Sequence, residues 1–144
     1  MYRNNLTTKI ALFNVAVTGS ISKENVLSNA YLRKMKNINL DNSDSFKRTT
    51  LDKIVKEYDI KEGSLKIDCE GAEYEIILSS QFDVLRKFTH IQMEYHYGFK
   101  ILKKYLKLAG FSVKVSGNRY FATPNGHTLM QCGDLYATRE HSLQ

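Results

Sequence analysis

The stretch from Ser64 to Leu78 constrains this chain more than any other. Leu65, Ile67 and Cys69 alternate with Lys66, Asp68 and Glu70, which is the period of a strand whose end turns polar. Gly71 breaks the alternation and suits a tight turn from strand to helix. From Ala72 to Leu78 the pattern becomes helical, with Glu73 and Glu75 in the first turn, where the positive end of the helix dipole favours acids. Asp68, Glu70, Glu73 and Glu75 therefore crowd into eight residues around one turn. In an open α/β sheet the carboxyl ends of the strands are where ligands bind.

The rest of the chain supplies the sheet that such a unit needs. Residues 9–17 read as a strand whose near-continuous hydrophobicity suits a sheet covered on both faces. Residues 20–48 are the least regular, with Asn/Asp/Ser clusters, a short strand candidate at Ile38-Asn39-Leu40 and a basic run, Arg33-Lys34-Met35-Lys36, read as a solvated face. Residues 50–60 predict a helix with Thr50 as N-cap, stopped by Gly63, with Leu51, Ile54, Val55 and Tyr58 on one stripe. Ser80 to Asp83 resembles a capping box that opens a short helix. His90 to His96 reads as a second buried strand. Phe99 to Ala109 is the best-defined helix: Ile101, Leu102, Tyr105, Leu106 and Ala109 face inward, Lys100, Lys103, Lys104 and Lys107 outward, and Gly110 follows at C′. Phe111 to Val115 alternates as a strand, Gly117-Asn118 begins a loop or hairpin, Pro124-Asn125-Gly126 signals a turn, and Asp134 to Arg139 forms a last strand. Alternating helices and strands predict a parallel sheet with right-handed crossovers, and the final hairpin places one antiparallel strand in it.

Composition narrows the function classes. The 144 residues, 42% apolar and 25% charged, suit one domain of a globular protein. No run approaches the ~20 apolar residues of a membrane helix, and Met1 to Asn5 has no apolar core of a signal peptide. Cys69 and Cys132 have no metal-ligand spacing and read as reduced thiols of a cytoplasmic protein. The net charge of +6 invites a nucleic-acid reading. No base-stacking motif and no arginine-bearing helix supports that reading, although a basic surface also attracts acidic substrates.

Three segments carry a family resemblance: Thr50-Leu51-Asp52, Lys66 to Glu75, and Met93-Glu94-Tyr95-His96. Together, and in this order, they resemble FkbM-type methyltransferases over roughly Lys9 to Arg139. The resemblance implies S-adenosylmethionine as cofactor, a Rossmann-like methyltransferase sheet, mostly parallel with an antiparallel carboxyl-terminal strand, and methylation of a hydroxyl on a small molecule or glycan. One departure stands out. The family's glycine-rich cofactor loop lies upstream of residues 9–17, and no G-x-G occurs anywhere in the 144 residues. The expectation is a single partial methyltransferase-like domain lacking the first two strands: a truncated product, half of a split gene, or a degenerate homologue. Its cofactor-binding residues are unassigned, and alone it binds S-adenosylmethionine weakly or not at all and is inactive. The alternative is a non-catalytic remnant or binding module that keeps the acidic cleft. The strand edge left free is expected to pair with residues 9–17, with a second copy, or with a separate amino-terminal half.

The chemistry expected of the site follows from spacing. Asp68 and Glu70 are two apart on one strand, and Glu94 and His96 are two apart on the next. Parallel and in register, the four converge at the sheet edge. Displacement of a methyl group from a sulfonium needs the acceptor held in line and its proton removed. His96 is the expected base near neutral pH, with Asp68 or Glu94 orienting it, and Glu70 and Glu73 on the substrate. A divalent ion on Asp68, Glu70 and Glu94 suits oxygen-ligand chemistry, but no loop motif supports it and no metal site is assigned.

Overall fold

The computed structural model of the protein describes Ile10 and residues 13–19, 47–122 and 129–139. Its elements are β1 (Ala16–Val17), β2 (Arg48–Thr49), α1 (Leu51–Glu57), β3 (Gly63–Ile67), α2 (Glu73–Ser79), α3 (Phe82–Leu85), β4 (Phe88–Tyr95), α4 (Lys100–Leu108), β5 (Ser112–Ala122) and β6 (Leu129–Thr138). The main sheet has the order β3-β4-β6-β5. β3 and β4 are parallel, with Leu65 beside Ile91 and Ile67 beside Met93. β6 is antiparallel to both β4 and β5. Three strands therefore run one way and β6 runs against them, as expected of a mixed α/β sheet with a reversed last strand.

Alternation divides the sheet into two unlike faces. Ile67, Ile91, Met93, Tyr95, Val113, Leu135 and Ala137 are buried. Their neighbours Lys66, Gln92, Tyr136 and Lys114 form one cross-strand row and are exposed. Ile76 and Ile77 of α2, Leu85 of α3, and Leu102 and Leu106 of α4 close the apolar face, and α2 packs on α4. Each such side chain contributes roughly 1.5–3 kcal/mol when fully buried. Two capping devices set helix ends. Thr50 Oγ1 accepts from Lys53 N at 3.2 Å at the start of α1. At the end of α4, Gly110 N donates to Lys107 O and Phe111 N to Leu106 O, both at 3.0 Å, a Schellman arrangement.

Several local expectations are corrected. In the described part of residues 9–17 only Ala16–Val17 is strand, and it pairs in parallel with β2, not with β3. Among the described residues β3 has a strand partner on one side only. α1 ends before Asp59, which takes the left-handed conformation (φ 48°), and Gly63 opens β3 instead of stopping the helix. Tyr58 leaves the buried stripe; it is exposed and lies against Phe13, ring centroids 4.8 Å apart. No capping box forms at Ser80, because Ser80 Oγ bonds back to Ile76 O at 2.7 Å and Gln81 becomes the N-cap. Gly117-Asn118 is not a loop but a bulge inside β5, where the register shifts between Ser116 and Arg119. The runs at residues 33–36, 38–40 and 124–126 lie outside the described residues.

Candidate functional site

The site is built where β3 and β4 end side by side. Past Ile67 the chain leaves the strand, and Glu70 (φ 48°) and Gly71 (φ 108°) turn it in two left-handed steps. Glycine takes such a conformation without a Cβ penalty; Glu70 does not. The turn is locked from within. Glu73, in the first turn of α2, is completely buried, and its Oε2 accepts from Gly71 N at 2.7 Å. Its Oε1 reaches across to the end of β4, accepting from His96 N at 3.1 Å and bonding His96 Nδ1 at 3.0 Å. One carboxylate thus ties the β3–α2 turn to the residue that follows β4. A buried acid is costly unless its oxygens are matched by donors, and here both are.

The loop after β4 is held from other directions as well. Tyr74 OH donates to Gly98 O at 2.7 Å and accepts from Tyr97 N at 2.9 Å. Gly98 N donates to Gln131 O at 2.9 Å, and the Cys132 thiol lies 3.6 Å from His96 O. His96 is therefore buried, with its ring fixed. An acceptor carboxylate at Nδ1 selects the tautomer with the proton there, which leaves Nε2 to do chemistry. Nε2 lies 3.4 Å from Glu70 Oε2, and Glu70 is exposed.

The expected residues separate in this arrangement. His96, Glu70 and Glu73 come together. Glu73, expected on the substrate, is occupied wholly by its own chain. Asp68 follows Ile67 at the carboxyl end of β3 and is exposed. Glu94 pairs with Arg119 at 3.8 Å and opposes Asp134, on the polar face of the sheet. Strand alternation stops at Tyr95, so the i, i+2 spacing does not carry His96 to the face of Glu94. Among the described residues, no group of three or more His, Cys, Asp or Glu residues is arranged to hold a metal ion. Burial, then the charges of Glu73 and Asp68, pushes the Cys69 thiol up to about 11. Burial first and Glu94 second raise that of Cys132, and burial first and Glu73 second raise the Tyr97 hydroxyl. All three enter the site as neutral groups near pH 7. Tyr74, Cys132 and Gln131 have no sequence signal for the site.

Residues 5–113 match the family model described as the methyltransferase FkbM domain, and the chain belongs to that family of methyltransferases. No curated protein and no solved structure matches the chain. No helix among the described residues is long and apolar enough to cross a membrane. The cofactor that the family implies is S-adenosylmethionine. The described residues do not supply its glycine-rich loop: the glycine turn at the end of β3 has its amide taken by Glu73, and no G-x-G occurs in the sequence.

Proposed function

We propose that this chain carries the acceptor-handling part of an O-methyltransferase acting on a hydroxylated small molecule or glycan. The observation that supports this most directly is the His96 ring, held at Nδ1 by buried Glu73 and with exposed Glu70 3.4 Å from Nε2. In the proposal, the acceptor hydroxyl displaces Glu70 and gives its proton to Nε2. Glu73 keeps the ring in the correct tautomer and stabilises the imidazolium that results. Asp68, exposed at the end of the neighbouring parallel strand, binds further hydroxyls. Glu94, engaged with Arg119, has no part in the proton transfer.

The same reading takes the sheet as the second half of a Rossmann-like methyltransferase domain. Its support is that, among the described residues, β3 has a strand partner on one side only, leaving a side where further strands can add. The strands and glycine-rich turn that hold S-adenosylmethionine are then placed outside the described residues. A second reading, a binding module without catalysis, is favoured by the closure of the Gly71 amide on Glu73. Isothermal titration with S-adenosylmethionine separates the two. One-site binding in the micromolar range shows a working cofactor pocket, and His96→Ala then lowers methyl transfer by ~10²–10⁴-fold if His96 is the base. An unchanged rate removes His96 from that role. Absence of binding at millimolar cofactor leaves the chain by itself a binding module.

A further inference from the structure

β5 and β6 do not stop where β4 stops. Tyr95, the last residue of β4, pairs with Gly133, and β6 continues beyond that point through residues 129–132, paired with Arg119 to Ala122 of β5. A two-stranded arm therefore projects past the carboxyl end of the sheet, the same end at which His96 sits. Its residues lie beyond the family-matched residues 5–113.

The arm carries an exposed polar cluster. Gln131 Nε2 donates to Asn118 Oδ1 at 2.8 Å and to Tyr120 OH at 3.2 Å. Tyr95 OH anchors Asn118 Oδ1 to the core at 3.3 Å. The bulge at Ser116/Arg119 brings Asn118 into this group. Tyr120 is 60% exposed although its hydroxyl is held, so a large ring is presented to solvent in a fixed pose. Gln131 also lines an open cleft of about 260 Å³ with Gly98, Lys100 and Ile101, and the last two line a second cleft along α4 as well. Lys100 has no ion-pair partner among the described residues, and α4 contains no acid.

Each part points to one ligand chemistry. The apolar C–H face of a pyranose stacks on the electron-rich face of an aromatic ring. Neutral amides supply both donors and acceptors for hydroxyls, and the Gln131 carbonyl oxygen retains its acceptor capacity. An unpaired ammonium prefers an anion. We infer that the arm, the loop after β4 and the start of α4 form a binding site for an anionic, polyhydroxylated ring. Tyr120 stacks on the ring, Asn118 and Gln131 bond its hydroxyls, and Lys100 pairs with its carboxylate or phosphate. This rests on the acceptor reading above and adds to it the charge of the acceptor and the residues that select it.

The test is calorimetric titration of the whole chain with glucuronate, glucose 6-phosphate, glucose and adenosine monophosphate, without any methyl donor. At least one charged sugar is expected to bind about tenfold more tightly than glucose, and the better of the two identifies carboxylate or phosphate as the anion. Lys100→Gln, at an exposed position that leaves the fold alone, is expected to abolish that preference. Tyr120→Ala and Gln131→Leu are expected to weaken the charged sugar about tenfold or more. Equal binding of glucose and both charged sugars, wild-type affinity in the Lys100 variant, or tighter binding of the nucleotide than of every sugar overturns the inference. Because no transfer is measured, failure of His96 as a base leaves these outcomes intact, and failure of sugar binding leaves the His96 rate test intact.

Discussion

Replacing Glu73 with Gln tests whether one carboxylate holds the site together. Both oxygens accept at present: Oε2 from Gly71 N at 2.7 Å, Oε1 from His96 N at 3.1 Å and from the ring Nδ1 at 3.0 Å. A glutamine has one acceptor oxygen and one donor nitrogen. If its oxygen faces His96, its NH2 confronts the Gly71 N–H. If it flips, the NH2 confronts the His96 N–H, and a change of imidazole tautomer relieves the ring but not the backbone. Either way one buried amide is left without an acceptor, at a cost of about 1–3 kcal/mol, and two charge-assisted bonds become neutral ones. The total is roughly 2–4 kcal/mol out of a stability of order 5–15 kcal/mol. In urea, with a slope near 2 kcal/mol/M, the midpoint is expected to fall by about 1–2 M. Glu75→Gln, on the exposed side of the same turn, serves as control and leaves the midpoint within experimental scatter. If Glu73→Gln unfolds at the wild-type urea concentration while keeping the wild-type slope, the buried carboxylate is not what closes the turn.

Three further outcomes follow from local geometry. A Cβ added at Gly133 lands 2.5 Å from Tyr95 OH, 2.6 Å from Ser116 O and 2.8 Å from Gly117 O. Two of those neighbours are backbone, so Gly133→Ala is expected to cost several kcal/mol and to loosen the arm; amide exchange at residues 118–121 no faster than in wild type contradicts this. Asp59→Gly removes a left-handed non-glycine residue after α1 (φ 48°) together with an exposed ion pair to Lys61. The backbone term wins, so a gain of about 0.5–1 kcal/mol and a rise of ~2–4 °C in Tm are expected by calorimetry. Burial first and Glu73 second raise the Cys69 thiol from 9.0 to about 11, so the folded protein stays protonated where the unfolded chain is already thiolate. Its contribution to stability is present below pH 9 and is lost as pH rises toward 11. Iodoacetamide at pH 8 should label folded Cys69 roughly a hundredfold more slowly than the urea-unfolded chain, and equal rates by mass spectrometry would count against the burial argument.

The parts of this fold legible in the sequence are those governed by period and by single-residue turn chemistry. The stripe of α4, the Gly110 stop and the strand at Leu65 and Ile67 each follow from residues within one or two turns of one another. What the sequence hides is decided by partners far apart. Ser80 reads as the first residue of a capping box, but its hydroxyl finds Ile76 O four residues back. Gly117-Asn118 reads as the start of a loop or hairpin, yet β6 pairs on both sides of it and makes it a bulge within the β5–β6 hairpin. Glu73 reads as a first-turn acid turned to the substrate; only the chain's return 23 residues later, at His96, shows that it must be buried. The i, i+2 argument for Glu94 and His96 holds while β4 is a strand and lapses at Tyr95, where the loop turns His96 toward α2. The same division explains the arm. The start of β5 at 112–115 is written in alternation, whereas the cluster of Asn118, Tyr120 and Gln131 depends on a register shift that no local pattern encodes. A residue that selects an acceptor through such a cluster is visible only once the strands are paired.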